Sequence, residues 1–222
     1  MTTLGYSAPT DARLAASLLL LRDGEAGIEV LLLRRAERDN DLRSGAAVFP
    51  GGVLEPADRD AHAFVLGATD AALSARYGLS SGLLDYAVAA VRETFEEVGV
   101  LLACDDLGRH AEPQPSWLTW RQRLQRREAS LAQMFEALDL RLDLRKLDAW
   151  SHWLTPPGVP KRFDTRFFVA PMPLTQVAEA DREEALELMW LTPRQALEPS
   201  RELKLLPVTR RTLTDLSTYG TV

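Results

Sequence analysis

An α/β/α sandwich around a mixed β-sheet is the α/β fold class this sequence predicts, with a segment inserted ahead of a central helix. Three observations predict it. Strand-like apolar runs stand both before and after one strongly amphipathic helix, and further helical patterns come late. The chain is also 46% hydrophobic over 222 residues, enough for a sizeable core. Such a length favours one domain over residues 1–222, with an added flap or subdomain, rather than two domains.

The elements follow in order. Residues 12–22 and 28–35 read as strands joined by a turn at 23–27, where Gly24 and Gly27 break the apolar pattern. Residues 36–47 are polar and read as a loop, before a short strand entering Phe49-Pro50. Residues 66–77 form a short helix pattern, followed by a Gly/Ser turn at 78–82. Residues 83–98 carry the central helix, and 100–103 begin the next strand. Residues 117–138 have helical periodicity with interleaved charge, as two helices or one bent helix. Trp117, Trp120, Leu124, Leu131 and Phe135 are its packing residues. Residues 150–154 stop at Pro156-Pro157 and make a short strand at most, while 163–170 and 186–191 read as full strands. Thr192 caps a helix over 192–197 with Pro193 in its first turn, and a last helix spans 208–216 behind Pro207.

Composition narrows the function. The net charge of −6 argues against nucleic acid as a partner and requires an anionic ligand to be met by local cations. No apolar run reaches membrane-spanning length, so no membrane partner is expected. Asp11 lies just ahead of the 14–21 run with no cleavage site after it, unlike a signal peptide. Cys104 is the lone cysteine, which suits a reducing, cytoplasmic location and leaves no disulfide within the chain.

The helix at 83–98 carries the chemistry. At about 100° per residue, Glu93, Glu96 and Glu97 fall within one arc, opposite Leu84, Ala87, Val88, Val91, Phe95 and Val98. One face is therefore buried and the other presents a compact acidic patch. Gly99 stands where a left-handed C-terminal residue would end the helix. Three convergent carboxylates repel one another unless a cation sits among them, and hard oxygen donors suit Mg²⁺ or Mn²⁺. Spacing alone does not separate such a site from an ordinary solvated helix face.

A second segment does. Phe49-Pro50-Gly51-Gly52-Val53-Leu54-Glu55 lies upstream of Arg92-Glu93-Thr94-Phe95-Glu96-Glu97-Val98-Gly99-Val100. Together they resemble the Nudix hydrolase signature, in which Gly52, Arg92, Glu93, Glu96, Glu97, Gly99 and Val100 all match. Asp58 stands where the family usually has Glu. The 40 positions from Gly52 to Arg92 exceed the family's usual gap by about 26, placing an insertion at about 57–83. Residues 45–58 and the segments Trp153-Leu154-Thr155-Pro156 and 161–168 resemble the peroxisomal coenzyme A diphosphatase branch, which also carries a long insertion.

The resemblance implies a Nudix-like sandwich and a hydrolase cleaving a diphosphate linked to another moiety. Glu93, Glu96 and Glu97 would be the metal ligands, joined by a carbonyl of Gly51 or Gly52, with Arg92 orienting the carboxylates. The branch implies CoA or acyl-CoA as substrate, cleaved to 3′,5′-ADP and (acyl-)phosphopantetheine; ADP-ribose, NADH or another dinucleotide is the alternative. A sensor that binds a nucleotide without hydrolysing it is the alternative of another class, and the three intact glutamates speak against it. Arg35, Arg43, Arg162 and Arg166 are the leading cations for substrate phosphates, beside Arg34 and Lys161. Glu183 and Glu184 are candidate general bases, just ahead of the last strand. Family members are often homodimers, and that expectation attaches to this chain too. His62, His110 and His152 are too scattered to suggest a metal or nucleophile set.

Overall fold

A computed structural model describes residues 11–36, 44–181 and 185–222. The chain runs through β1 (Ala12–Gly24), β2 (Gly27–Arg35), β3 (Ala46–Val48), β4 (Gly51–Val53), a 3-10 helix (Pro56–Phe64), β5 (Val65–Leu66) and α1 (Asp70–Arg76). There follow α2 (Leu83–Val98), β6 (Ala103–Cys104), α3 (Ser116–Gln125), α4 (Leu131–Leu138), β7 (Arg141–Asp143), β8 (Asp148–Leu154) and β9 (Arg162–Pro171). It ends in β10 (Ala185–Leu191), α5 (Pro193–Leu197), a 3-10 turn (Pro199–Arg201), β11 (Lys204–Leu205) and α6 (Pro207–Leu216).

The main sheet runs β11-β3-β2-β1-β9-β8, with β10 also on β2 and β4 also on β1. It is mixed: β1 and β9 are parallel, and β1 is antiparallel to both β2 and β4. Alternation along β1 splits the core. Ala16, Leu18 and Leu20 face the layer built on α2, whereas Leu19 and Leu21 face Leu213 and Leu216 of α6. Helices thus cover both faces of a mixed sheet, as the sequence pattern predicts.

Where the structure departs from the sequence reading or decides between its alternatives, the cause is physical. Residues 100–102 do not pair as a strand; the N–H and carbonyl of Leu101 bond instead to the buried amide of Gln176, at 2.9 Å each. Only Ala103–Cys104 joins a small second sheet, order β5-β7-β6, whose strands are too short to show a period. Residues 117–138 form two helices because Arg127 takes a left-handed φ of 57°, which no helix continues through. The inserted segment is built into the structure at its start, where the 3-10 helix packs against α2 and α4. Trp117, Leu124, Leu131 and Phe135 are buried, and Trp117 meets Phe95 of α2 edge-on at 5.9 Å. Among the described residues, no helix is long and apolar enough to cross a membrane.

Candidate active site

Helix α2 ends at Gly99, whose φ of 71° is the expected left-handed stop. Its last carbonyls would otherwise be orphaned, and each finds a donor. The carbonyl of Phe95 accepts from Gly99 N–H at 2.9 Å. That of Glu96 accepts from Arg121 Nε (2.8 Å) and Gln125 Nε2 (2.7 Å), both on α3. Those of Glu97 and Val98 accept from the N–H groups of Asp181 and Glu179. Gln125 also donates to the Asp181 carboxylate at 2.7 Å, so α3 and the segment at 179–181 are clamped onto the carboxylate-bearing end of α2.

The strand opposite is set with equal care. Pro50 O accepts from Leu18 N–H (2.9 Å) and from Ser17 Oγ (2.8 Å), fixing Phe-Pro-Gly-Gly against β1. A Cβ on Gly51 would lie 2.3 Å from the carbonyl oxygen of Ala16, and one on Gly52 would lie 2.4 Å from the Glu93 carboxyl carbon. Glycine is required at Gly51 for backbone approach, whereas at Gly52 a side chain would displace the Glu93 carboxylate from its place over the chain. Gly51 N–H donates to Glu97 Oε2 at 2.9 Å.

The sequence reading has the acidic arc of α2 facing solvent, and here the structure corrects it. Glu97 is only 7% exposed and Arg92 only 4%. The arc lies against β4 and the 3-10 helix, and Arg92 is its hub. Nε and Nη2 of Arg92 donate to Asp58 at 2.6 and 3.3 Å, and Nη2 also donates to Val53 O at 2.9 Å. Nη1 donates to Glu93 Oε1 (2.9 Å) and Glu96 Oε1 (3.2 Å). Asp58 is 1% exposed and also accepts the N–H of Glu55 at 2.7 Å, which closes the first turn of the 3-10 helix. The acid that departs from the family pattern is thus the buried counter-charge of Arg92, 34 positions away.

The electrostatics follow from this packing. Burial works against the charge on Arg92, but Asp58, Glu93 and Glu96 outweigh it and hold the guanidinium charged. Burial pushes the Glu96 carboxyl up to about 7; Arg92 opposes that rise and Glu93 adds to it. A carboxyl whose pKa is raised on folding binds its proton more tightly in the native state. Stability from this group is therefore present below the unfolded value of 4.5 and is lost as pH rises through about 7. In protein stripped of divalent ions, Glu96→Gln is expected to leave unfolding at pH 4 nearly unchanged and to stabilise by about 1–3 kcal/mol at pH 8. Urea titrations at the two pH values measure this; an equal effect at both would refute the assignment.

The other sequence-derived candidates fall differently. Arg166 pairs in register with Ala16, which pairs with Gly52, so it lies two strands from Gly52, roughly 10 Å across the sheet. Its guanidinium carbon is 5.3 Å from the Tyr86 ring centre. Next to it, His152 Nε2 meets the fully buried Asp164 at 2.5 Å, a contact that the scatter of histidines along the sequence does not reveal. Arg162 pairs with Asp11 at 2.5 Å and donates to Thr155 O at 3.0 Å, about 13 Å further along the strand than Arg166. The structure does not bring it to the glutamates. Arg35 is half-buried at the end of β2, opposite Ala185 of β10. Arg43, Glu183 and Glu184 lie outside the described residues. Asp58, Arg121, Gln125 and Asp181 are the site residues that sequence reasoning missed or left without a role. Only Asp58 carried a signal, its place five residues after Gly52.

As arranged, the described residues contain no group of three His, Cys, Asp or Glu side chains gathered to hold a metal ion. Arg92 draws Glu93 and Glu96 to one side while Gly51 draws Glu97 to the other. The donor chemistry still fits a hard divalent ion: three carboxylates lie at one end of one helix, one of them held up by burial and by a like-charged neighbour.

Comparison with known proteins bears on what this arrangement is. Residues 80–208, over half of the chain, match the family model of the NUDT19 Nudix domain. The chain belongs to the Nudix hydrolase family. Among solved structures, a NUDIX hydrolase from Alicyclobacillus acidocaldarius is 30% identical, superposes with a TM-score of 0.80, and is matched over 97% of this chain and 95% of its own. Among curated proteins, the acyl-coenzyme A diphosphatases NUDT19 of Homo sapiens and Gallus gallus are each 32% identical, over 82% and 83% of this chain. The chain spans 58% and 60% of the length of these two relatives. Helix α2, with Arg92 and the three glutamates, lies within the matched residues.

Proposed function

We propose that this protein is a divalent-metal-dependent diphosphatase that cleaves CoA or acyl-CoA to 3′,5′-ADP and (acyl-)phosphopantetheine. The observation that carries this reading is the match of residues 80–208 to the NUDT19 Nudix domain, in which the three glutamates and Arg92 are all present. Likeness to acyl-CoA diphosphatases over more than four-fifths of the chain supports the same substrate class.

Glu93, Glu96 and Glu97 would hold Mg²⁺ or Mn²⁺, with a main-chain carbonyl of Gly51 or Gly52 beside them. The bound ion would neutralise charge developing on the diphosphate and lower the pKa of the attacking water. The chain's own residues supply the rest. Arg92 keeps Glu93 and Glu96 oriented through charged hydrogen bonds, and Asp58 keeps Arg92 in place. Gly51 N–H fixes one oxygen of Glu97. Gln125 and Arg121 hold the Glu96 carbonyl and so the pitch of the carboxylate-bearing turn. Arg166 is the described cation nearest in register to Gly52 and is the proposed phosphate contact.

Hydrolysis of CoA, acetyl-CoA, ADP-ribose, NADH and diadenosine polyphosphates in Mg²⁺ or Mn²⁺, with products separated by chromatography, tests the reading. Release of 3′,5′-ADP from the CoA species is the expected result. Cleavage of another compound alone would keep the Nudix chemistry and overturn the substrate. No cleavage with either ion would favour the nucleotide sensor.

A further inference from the structure

The inserted segment meets the helical pair α3–α4. The 3-10 helix that opens the inserted segment packs on α4 and on the turn between α3 and α4. Between them lies an open cleft of about 490 Å³, within the range of small-ligand sites. Both walls are tied to the acidic turn of α2. One wall holds Asp58 on Arg92 at 2.6 Å. The other follows directly from Gln125, which holds the Glu96 carbonyl at 2.7 Å. Glu55, at the rim, donates its N–H to Asp58 at 2.7 Å and pairs with Arg127 across the cleft at 2.9 Å.

The lining decides what enters. Glu55, Asp60, Glu128 and Glu136 stand against the single cation Arg127, so a phosphate placed here would meet net negative charge. Phe64 and Ala129 add apolar surface, and the carboxylates accept hydrogen bonds from amide N–H and hydroxyl donors. This suits a neutral, flexible chain bearing amides and hydroxyls, and excludes a 3′-phosphorylated nucleotide. Resting on the substrate reading above, we infer that the cleft is the subsite for the pantetheine arm, which places the adenylate half on the other side of the glutamates.

Titration calorimetry with the two separate halves, 4′-phosphopantetheine and 3′,5′-ADP, tests this on the full chain. Ala129→Trp fills the cleft from the turn between α3 and α4. Glu136→Trp does so from the exposed side of α4 and serves where the first variant melts early. Either variant is expected to weaken 4′-phosphopantetheine at least fivefold and to leave 3′,5′-ADP within twofold of wild type. Unchanged 4′-phosphopantetheine affinity, or a loss confined to 3′,5′-ADP, in a protein that cleaves CoA overturns the cleft assignment alone. A wild type that cleaves no CoA species and binds neither half overturns the substrate reading and this inference with it.

Discussion

Arg92→Met is expected to lower the free energy of unfolding by about 3–5 kcal/mol and to cut turnover at least a hundredfold. The large stability effect comes from what is left behind. Asp58 is 1% exposed, and without the guanidinium its charge stays buried, with the Glu55 N–H its remaining hydrogen-bond donor among the described residues. The activity effect comes from the loss of the two hydrogen bonds that orient Glu93 and Glu96. Arg92→Lys should recover less than half of either quantity. A single ammonium cannot reach Asp58, Val53 O and both glutamates, which the planar fork meets together. Adding Asp58→Asn to Arg92→Met removes the stranded charge and should restore part of the stability, a coupling that a double-mutant cycle reads directly. Urea unfolding with an unchanged m-value measures it. A loss below about 1 kcal/mol for Arg92→Met would sink the argument, because it would place the pair at the value of an exposed one.

Glu97→Gln is expected to reduce kcat a thousandfold or more while the protein melts within a few degrees of wild type. The amide is nearly isosteric, and its oxygen still accepts the Gly51 N–H, so the packing of β4 on α2 survives. What disappears is the negative charge that would hold the metal ion and, through it, stabilise charge on the transferring group. Because that stabilisation belongs to the transition state, kcat should fall much further than KM changes. Turnover above a tenth of wild type would remove Glu97 from the machinery. A wild type with no turnover to lose would turn attention to nucleotide binding alone.

The strands, helices and family of this protein were legible because their signals are local. A 3.6-residue period over 83–98 delimits α2 correctly, and Thr192-Pro193 marks the start of α5 by its capping chemistry. Strands two or three residues long carry no period, so the β5-β7-β6 sheet is invisible until its three pieces meet. Neither could the role of Asp58 be read along the chain, since its partner lies 34 positions away and an intervening insertion hides the connection.

The sequence by itself determined which carboxylates share one helix face, because residue spacing on a helix is fixed by its geometry; only the family resemblance set Gly51 and Gly52 beside them. Only the tertiary structure decided that this face is covered, that Asp58 fixes Arg92 against Glu93 and Glu96, and that α3 and Asp181 complete its last turn. Burial and charge depend on which distant segments the folded chain brings back to the helix, and no local spacing encodes that.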